Sequence, residues 1–466
     1  MTLNLFDKQV YIDRRNILKQ TIGHDGIILL MGNDDSSMSY KDNCYPFRQD
    51  STFLYYFGLD IPALAAIIDT GTGEDVIFGD ELSLDDIVWT GTLPSVNEMA
   101  SLVGVSQTNP GGQIIHFVHK AITAGRRVHI LPPYRPENKI KLATWLNTGL
   151  NDVSDHVSLK LIKAVINQRI IKSPLEVAEM EKAVSISVEM QLAVIKHTKP
   201  GIKEYELVAK ALETAAAANC RLGYPAIITT HGQTLHTHYY GNTLQEGRMV
   251  LCDIGAENAM HYGGDLTRTF PVGHSFTSRQ KELYEVVLNA MDHAISMLKP
   301  GVRYKDIHLA ACKKLAEGLK QVNLMKGDPA EAVEAGAHTM FFQCGLGHML
   351  GMDTHDMEDL GEQYVGYTDT LKKDTVFGLK SLRLGRELDN GFVVTVEPGI
   401  YIIPELIDRW EAERKYSDFI NYDILNTYRD FGGIRIEDNF LITDAGSHLL
   451  GKYLPKTLKD IEGLKN

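Results

Sequence analysis

At 466 residues the chain is too long for one ordinary hydrophobic core, so two domains are expected. A formal net charge of -13 argues against a nucleic-acid partner, whose binding would want a basic face. Cys44, Cys220, Cys252, Cys312 and Cys344 are odd in number, widely spaced and without a Cys-x-x-Cys pair. That pattern argues against a disulfide framework or a thiolate zinc site, and it fits a reducing compartment.

The first residues, Met-Thr-Leu-Asn-Leu-Phe-Asp-Lys, lack the basic-then-apolar layout of a secretory signal, and no apolar run is long enough to cross a bilayer. A cytoplasmic enzyme with no membrane partner is expected. Strands are predicted at Gly26–Gly32, Ala63–Asp69, Asp75–Phe78 and Arg127–Leu131, with helices at His116–Thr123 and Lys139–Asn147 between them. The mixture implies an N-terminal α/β domain over residues 1–168. Its aromatic stretch, Tyr45-Pro-Phe-Arg-Gln-Asp-Ser-Thr-Phe-Leu-Tyr-Tyr-Phe, reads most simply as core packing.

A boundary falls near Ile166–Ser173. Ser173-Pro-Leu-Glu176 joins an N-cap serine, proline at the first helical position and glutamate at the third, which starts a helix. Val177, Met180, Val184, Val188 and Ile195 then supply a buried stripe, and the second domain spans 169–466. Within it Lys199-Pro-Gly-Ile-Lys returns as Lys299-Pro-Gly-Val-Arg, after a helix whose cap is Thr277-Ser-Arg-Gln280. Gly247-Arg-Met-Val-Leu-Cys-Asp253 returns as Gly391-Phe-Val-Val-Thr-Val-Glu397, and Gly263-Gly-Asp-Leu-Thr-Arg as Gly432-Gly-Ile-Arg-Ile-Glu437. These ordered echoes predict two half-domains that carry acids toward a shared centre. Tyr367–Asp389 and Glu405–Arg429 read as polar insertions between the strands of the second half.

Met249–Phe270 has β-formers at both ends and a Glu-Asn-Ala turn in its middle, which predicts a hairpin centred near Ala259 with Asp253 facing Asp265. Opposed carboxylates repel, and a divalent cation between them reverses the sign. Two solvated aspartates, or one protonated partner of the pair, would also accommodate the repulsion. His348 in Cys344-Gly-Leu-Gly-His-Met-Leu, Glu397 in Val-Thr-Val-Glu-Pro-Gly, and Glu437 in Ile-Arg-Ile-Glu-Asp-Asn extend the set. Four carboxylates around one centre carry too much negative charge unless cations offset it.

This set resembles the pita-bread metallopeptidases, in particular their Xaa-Pro aminopeptidase and prolidase branch. The resemblance covers nearly the whole chain, with Phe47-Arg-Gln-Asp-Ser and its following aromatics similar to the N-terminal domain of that branch. It implies an α+β fold, with an N-terminal α/β domain ahead of a pita-bread catalytic domain that has an internal pseudo-twofold. It also implies that Asp253, Asp265, His348, Glu397 and Glu437 hold two divalent ions, with Asp265 and Glu437 bridging them. Oxygen-rich ligation suits manganese, with cobalt or zinc as substitutes. His238, His355 and Arg435 match positions that handle substrate and buttress ligands. Cys344 stands where the family commonly has a histidine near substrate, a departure that bears on substrate preference and turnover and leaves the ligands intact.

The implied reaction is hydrolysis of the bond between an N-terminal residue and a following proline. Two cations make a water ionisable near neutral pH and polarise the scissile carbonyl. Glu397 is the expected proton carrier, His355 and His238 the expected donors to substrate and oxyanion, and Arg435 the cation that keeps the carboxylates ionised and oriented. Prolidase, restricted to dipeptides, uses the same chemistry. Methionine aminopeptidase shares the catalytic fold, but the long N-terminal domain argues against it. A ligand-free binding module, or a metal-free creatinase-like enzyme, is the reading from a different class, and the presence of all five ligand positions argues against both. A homodimer or homotetramer is usual for the branch.

Overall fold

The computed structural model describes residues 4–465. The chain divides into two compact units, Met1–Arg169 and Ile170–Asn466. In the first, strands β1 (Gly26–Met31), β2 (Ala65–Asp69), β3 (Asp75–Phe78), β4 (Gln107–Asn109) and β5 (Arg127–His129) form one mixed sheet in the order β4-β3-β2-β1-β5. Ile27, Leu29, Ile67, Val76 and Phe78 leave its face to pack with Ile114, Val118 and Leu142 of the covering helices. The aromatic stretch forms the helix Ser51–Phe57, buried along its whole length and capped by Asp50, whose side chain accepts from the Phe53 N–H. Arg15, fully buried, ties that helix to the sheet through the Tyr56 carbonyl at 2.8 Å and Asp75 at 2.8 Å.

The second unit opens on the helix Pro174–His197, whose N-terminus carries the reciprocal Ser173–Glu176 capping box. Its strands are β6 (Arg221–Leu222), β7 (Ile227–Thr229), β8 (Met249–Ile254), β9 (Ala256–Glu257), β10 (Leu266–Pro271), β11 (Val393–Val396), β12 (Gly399–Tyr401), β13 (Gly433–Arg435), β14 (Asp438–Thr443) and β15 (Gly446–Leu449). They pair as β10-β8-β7, β11-β14-β15, β12-β13 and β6-β9.

The Lys-Pro-Gly echo is a true structural repeat. Gly201 and Gly301 both take left-handed φ, +91° and +80°, which a glycine adopts without a Cβ penalty. Each donates its N–H to a leucine carbonyl, Leu244 and Leu388, at 2.8 Å. Each is followed by a single antiparallel bridge, Lys203 with Thr243 and Arg303 with Glu387, and then by a helix, Glu204–Ala217 and Tyr304–Gln321. The double-glycine echo marks different elements. Gly263-Gly264 leads into β10, which pairs with β8, whereas Gly433 begins β13, which pairs with β12. The partner of β11 is β14, and Glu437 stands immediately before it as Asp265 stands immediately before β10.

The hairpin register also differs from expectation. Asp253 opposes Thr267, and the turn is centred on Met260, between Asn258 and Tyr262, one residue later than predicted. The Asn258 side chain causes the shift, because its Oδ1 accepts from the N–H groups of Met260 and Tyr262 and lets His261 take a φ of 63°. Asp265 is therefore the diagonal neighbour of Asp253 on the same face.

The two polar segments are not simple insertions. Tyr367 is buried with its hydroxyl on the Leu382 carbonyl at 2.7 Å, and Glu405–Arg429 includes the helices Pro404–Ala412 and Tyr422–Leu425.

Candidate metal centre

Strand pairing across the two half-domains brings the acids together. Thr267 forms an antiparallel bridge with Glu437, whose N–H donates to the Thr267 carbonyl at 3.0 Å. The buried Arg268 fixes the crossing, with donors on the Glu437 carbonyl at 2.8 Å and the Asp438 carboxylate at 2.6 Å. Asn439 replaces a strand neighbour for Asp265. Its amide donates to the Asp265 carbonyl at 2.5 Å and accepts from the Asp265 N–H at 3.0 Å.

The glycine-rich loop before His348 runs along β11 as an added strand. Glu397 N–H donates to Leu346, Thr395 N–H to His348 and His348 N–H to the Thr395 hydroxyl, at 2.8, 3.0 and 3.1 Å. Gly347 permits this approach, since a Cβ there would lie 2.2 Å from the Thr395 carbonyl and 2.3 Å from the Tyr304 hydroxyl.

The result is one cavity of about 560 Å³, lined by Asp253, Asp265, His348, Glu397, Glu437, Arg435, His238, His355, Cys344 and Tyr224 among others. Asp265, His348 and Glu437 each offer an atom within 4.8 Å of the other two. His348 Nε2 lies 3.3 Å from Asp265 and 3.6 Å from Glu397. Asp253 and Asp265 both touch the Tyr224 hydroxyl, at 2.6 and 2.5 Å. Arg435 pairs with Asp253 and donates to Tyr401 at 3.0 Å and Thr267 at 3.2 Å.

Electrostatically the carboxylates are crowded. Burial raises Asp253, opposed by Arg435, and raises Glu397 to about 7; burial and the neighbouring Asp265 put Glu437 well above the usual range. Asp265 moves the other way. Burial would raise it, but the hydrogen bond and charge of His348 hold it below its ordinary value. Four carboxyl groups face Arg435 and one imidazole, so protons or cations must make up the deficit.

The donor set fits cations. Glu437 has one buried carboxylate oxygen without a partner, while the other accepts from the Thr267 hydroxyl at 2.6 Å. The His348 Nδ1 faces the Met349 carbonyl at 3.0 Å, an atom that can only accept, so Nδ1 carries a proton and Nε2, which donates to Asp265 when protonated, is the nitrogen left to ligate a cation in its place. A carboxylate-rich set with one such imidazole suits a hard or borderline divalent ion.

His355 lies against His348 with ring centroids 4.4 Å apart. Its Nδ1 meets Glu358 at 2.5 Å; that hydrogen bond holds Glu358 down at about 2, while burial lowers His355 itself. His238 lines the same cavity. Burial pushes the Cys344 thiol up to about 12, with Glu397 adding to the effect, so it is not a thiolate.

Tyr224, Asn439 and Glu358 carry no role in the sequence reading. A lone tyrosine before a proline gives no signal, and Asn439 was legible only as the residue two after Glu437. Arg383, Lys380 and Ser381, inside the supposed insertion Tyr367–Asp389, form part of the cavity wall.

Residues 178–444 match the model of metallopeptidase family M24, and residues 11–130 match the aminopeptidase P N-terminal domain. A probable Xaa-Pro aminopeptidase, pepP, of Botryotinia fuckeliana (strain B05.10) is 33% identical over 95% of this chain and 92% of its own length. A human Xaa-Pro dipeptidase is 30% identical over 94% of this chain and 88% of its own. The solved aminopeptidase PepP of Pseudomonas aeruginosa superposes with a TM-score of 0.81 at 26% identity, covering 99% of this chain and 98% of that one. With the acids, the histidine and the two-half architecture in place, the chain belongs to metallopeptidase family M24, in the branch whose catalytic domain follows an aminopeptidase P N-terminal domain.

Proposed function

We propose that the chain is an Xaa-Pro aminopeptidase that hydrolyses the bond between an N-terminal residue and a following proline. The observation that carries this reading is the convergence of Asp265, His348 and Glu437 within 4.8 Å, in a cavity that Asp253 and Glu397 also line. Those five residues would hold two divalent ions, manganese by preference. When bound, the ions ionise a water near neutral pH and polarise the scissile carbonyl.

The chain's own groups supply the rest. Glu397, held near 7 by burial, is matched to accepting a water proton on its carboxylate and returning it to the proline nitrogen, which has no hydrogen of its own to keep. His355 directs its Nδ1 proton to Glu358, so donation from Nε2 to an oxyanion requires a second proton, which Glu358 favours and burial opposes. His238 faces the same cavity and would contact substrate, as would Cys344. Arg435 orients Asp253 and favours its ionised form against the effect of burial. The dispersed cysteines fit a reducing compartment, and the proposed enzyme is cytoplasmic and works as a homodimer or homotetramer, the assembly usual for the branch.

Dipeptide specificity is the second reading, favoured by the likeness to the human Xaa-Pro dipeptidase. A panel pairing an Xaa-Pro dipeptide with a tripeptide carrying proline second, run beside metal analysis, separates the two. Cleavage of the tripeptide is expected, and Asp265→Ala should lose both metal and activity. A fully metallated, active Asp265→Ala protein would refute the scheme.

A further inference from the structure

Outside that cavity the second unit buries another group of metal-binding side chains. His308 and Cys312 stand one helical turn apart on Tyr304–Gln321, and His338 lies on the 3-10 turn Ala337–Met340. They are 1%, 0% and 4% exposed. One donor atom from each lies within 4.8 Å of the other two. The His308 Nε2 to Cys312 Sγ distance is 3.5 Å.

The ordinary account is a thiol hydrogen-bonded to an imidazole in a core. It covers one contact and leaves unexplained why His338 converges on the same point with its Nδ1 buried and without a partner. A metal ion explains more. A tetrahedral zinc with its usual Zn–S and Zn–N lengths separates sulfur and nitrogen ligands by about 3.6 Å. Burial also keeps both rings neutral, with His308 near 3 and His338 near 4, the form in which imidazole ligates.

We propose that His308, Cys312 and His338 form a third metal site, separate from the carboxylate centre, that takes a borderline-soft divalent ion of the zinc class. Two imidazoles and a thiolate select for such an ion against the harder ions that carboxylates prefer. Binding forms a metal–sulfur bond at Cys312 and releases the thiol proton to solvent, one proton per ion. Phe342, whose ring centroid lies 5.7 Å from that of His308, and Cys344 both follow the His338 turn. Occupancy would therefore stiffen the segment that delivers Cys344 to the peptidase cavity. The proposal does not depend on the peptidase reading.

The test is titration of cobalt chloride into the full-length Asp265→Ala protein, which is expected to lack the carboxylate site, followed by near-ultraviolet absorption. A thiolate-to-cobalt charge-transfer band saturating at one equivalent per chain is expected. It should vanish in Cys312→Ser, need at least tenfold more cobalt in His338→Gln, and persist in Cys344→Ser. The same band should form in the unmutated chain preloaded with manganese, so the result stands even if a variant fails to fold. Absence of the band there, or its survival in folded Cys312→Ser, or its loss in folded Cys344→Ser alone, overturns the assignment.

Discussion

Asn439 grips Asp265 by its backbone, donating to the carbonyl at 2.5 Å and accepting from the N–H at 3.0 Å, with no solvent access to the amide. The side chain completes a strand pairing at the point where β10 has not yet begun, and so fixes where the Asp265 carboxylate points. Removing the clamp frees that carboxylate without touching any proposed ligand. Asn439→Ala should weaken manganese binding on the order of 10- to 100-fold, as other supports of metal ligands do. Asn439→Asp should weaken it too, since a carboxylate cannot donate to the Asp265 carbonyl. Calorimetric titration checks both, and unchanged affinity in Asn439→Ala would remove the clamp from the account.

Tyr224 presents one hydroxyl proton to two carboxylates, so it can satisfy only one at a time. Its hydrogen bond lowers both Asp253 and Asp265. In Tyr224→Phe both acids should hold protons to higher pH, and the pH at which manganese binding is half-complete should move upward. A midpoint that stays put or moves down would show that the hydroxyl does not tune these acids.

In the metal-free protein the stability contributed by Glu397 should fall as pH rises. Burial lifts Glu397 from 4.5 to about 7, so its protonated form stabilises the fold. That contribution is complete below about 4.5 and is lost as pH climbs through about 7. Asp253 and Glu437 are raised and act in the same sense, while Asp265 is lowered and opposes them at more acid pH. The buried His308 and His338, lowered to about 3 and about 4, act in the opposite sense below about 6.5, so the Glu397 contribution is read as the difference between the unmutated chain and Glu397→Gln after chelation at pH 5 and pH 8. The change in melting temperature from pH 5 to pH 8 should be more positive in Glu397→Gln than in the unmutated chain, and manganese should shrink that difference. Equal changes in the two metal-free proteins would contradict this.

With its thiol pushed up to about 12, Cys344 should resist iodoacetamide at pH 8 in the folded protein, as peptide mass mapping would report. Cys344→Ala should keep full manganese stoichiometry. Its loss in kcat/KM on proline peptides should stay below the ~100-fold typical of removing a proton-transfer group. Rapid alkylation, or lost metal in Cys344→Ala, would place the thiol among the ligands.

Much of this arrangement is written locally and could be read. The Ser173 and Thr277 caps, the strand Asp75–Phe78 and the Lys-Pro-Gly repeat depend on neighbouring residues, and each appears where local chemistry puts it. What escaped depends on partners distant in the chain. The hairpin turned one residue late because the Asn258 side chain competes for the turn's N–H groups. The double-glycine echo misled because sequence similarity ignores which strand lies alongside, and Gly433 meets β12 where Gly264 leads toward β8. Tyr224 and Asn439 gave no pattern at all, since each matters through a group tens to hundreds of positions away.

The Thr267–Glu437 bridge joins residues far apart in sequence, so closing that loop is among the entropically dearest steps of folding and should come late. Before it closes, Asp253 and Asp265 repel only each other; afterwards Glu437 and Glu397 of the other half join them out of water. Manganese present during refolding should therefore act as a mortar for the last joint, quickening the final kinetic phase while leaving the earlier collapse of either half unaltered.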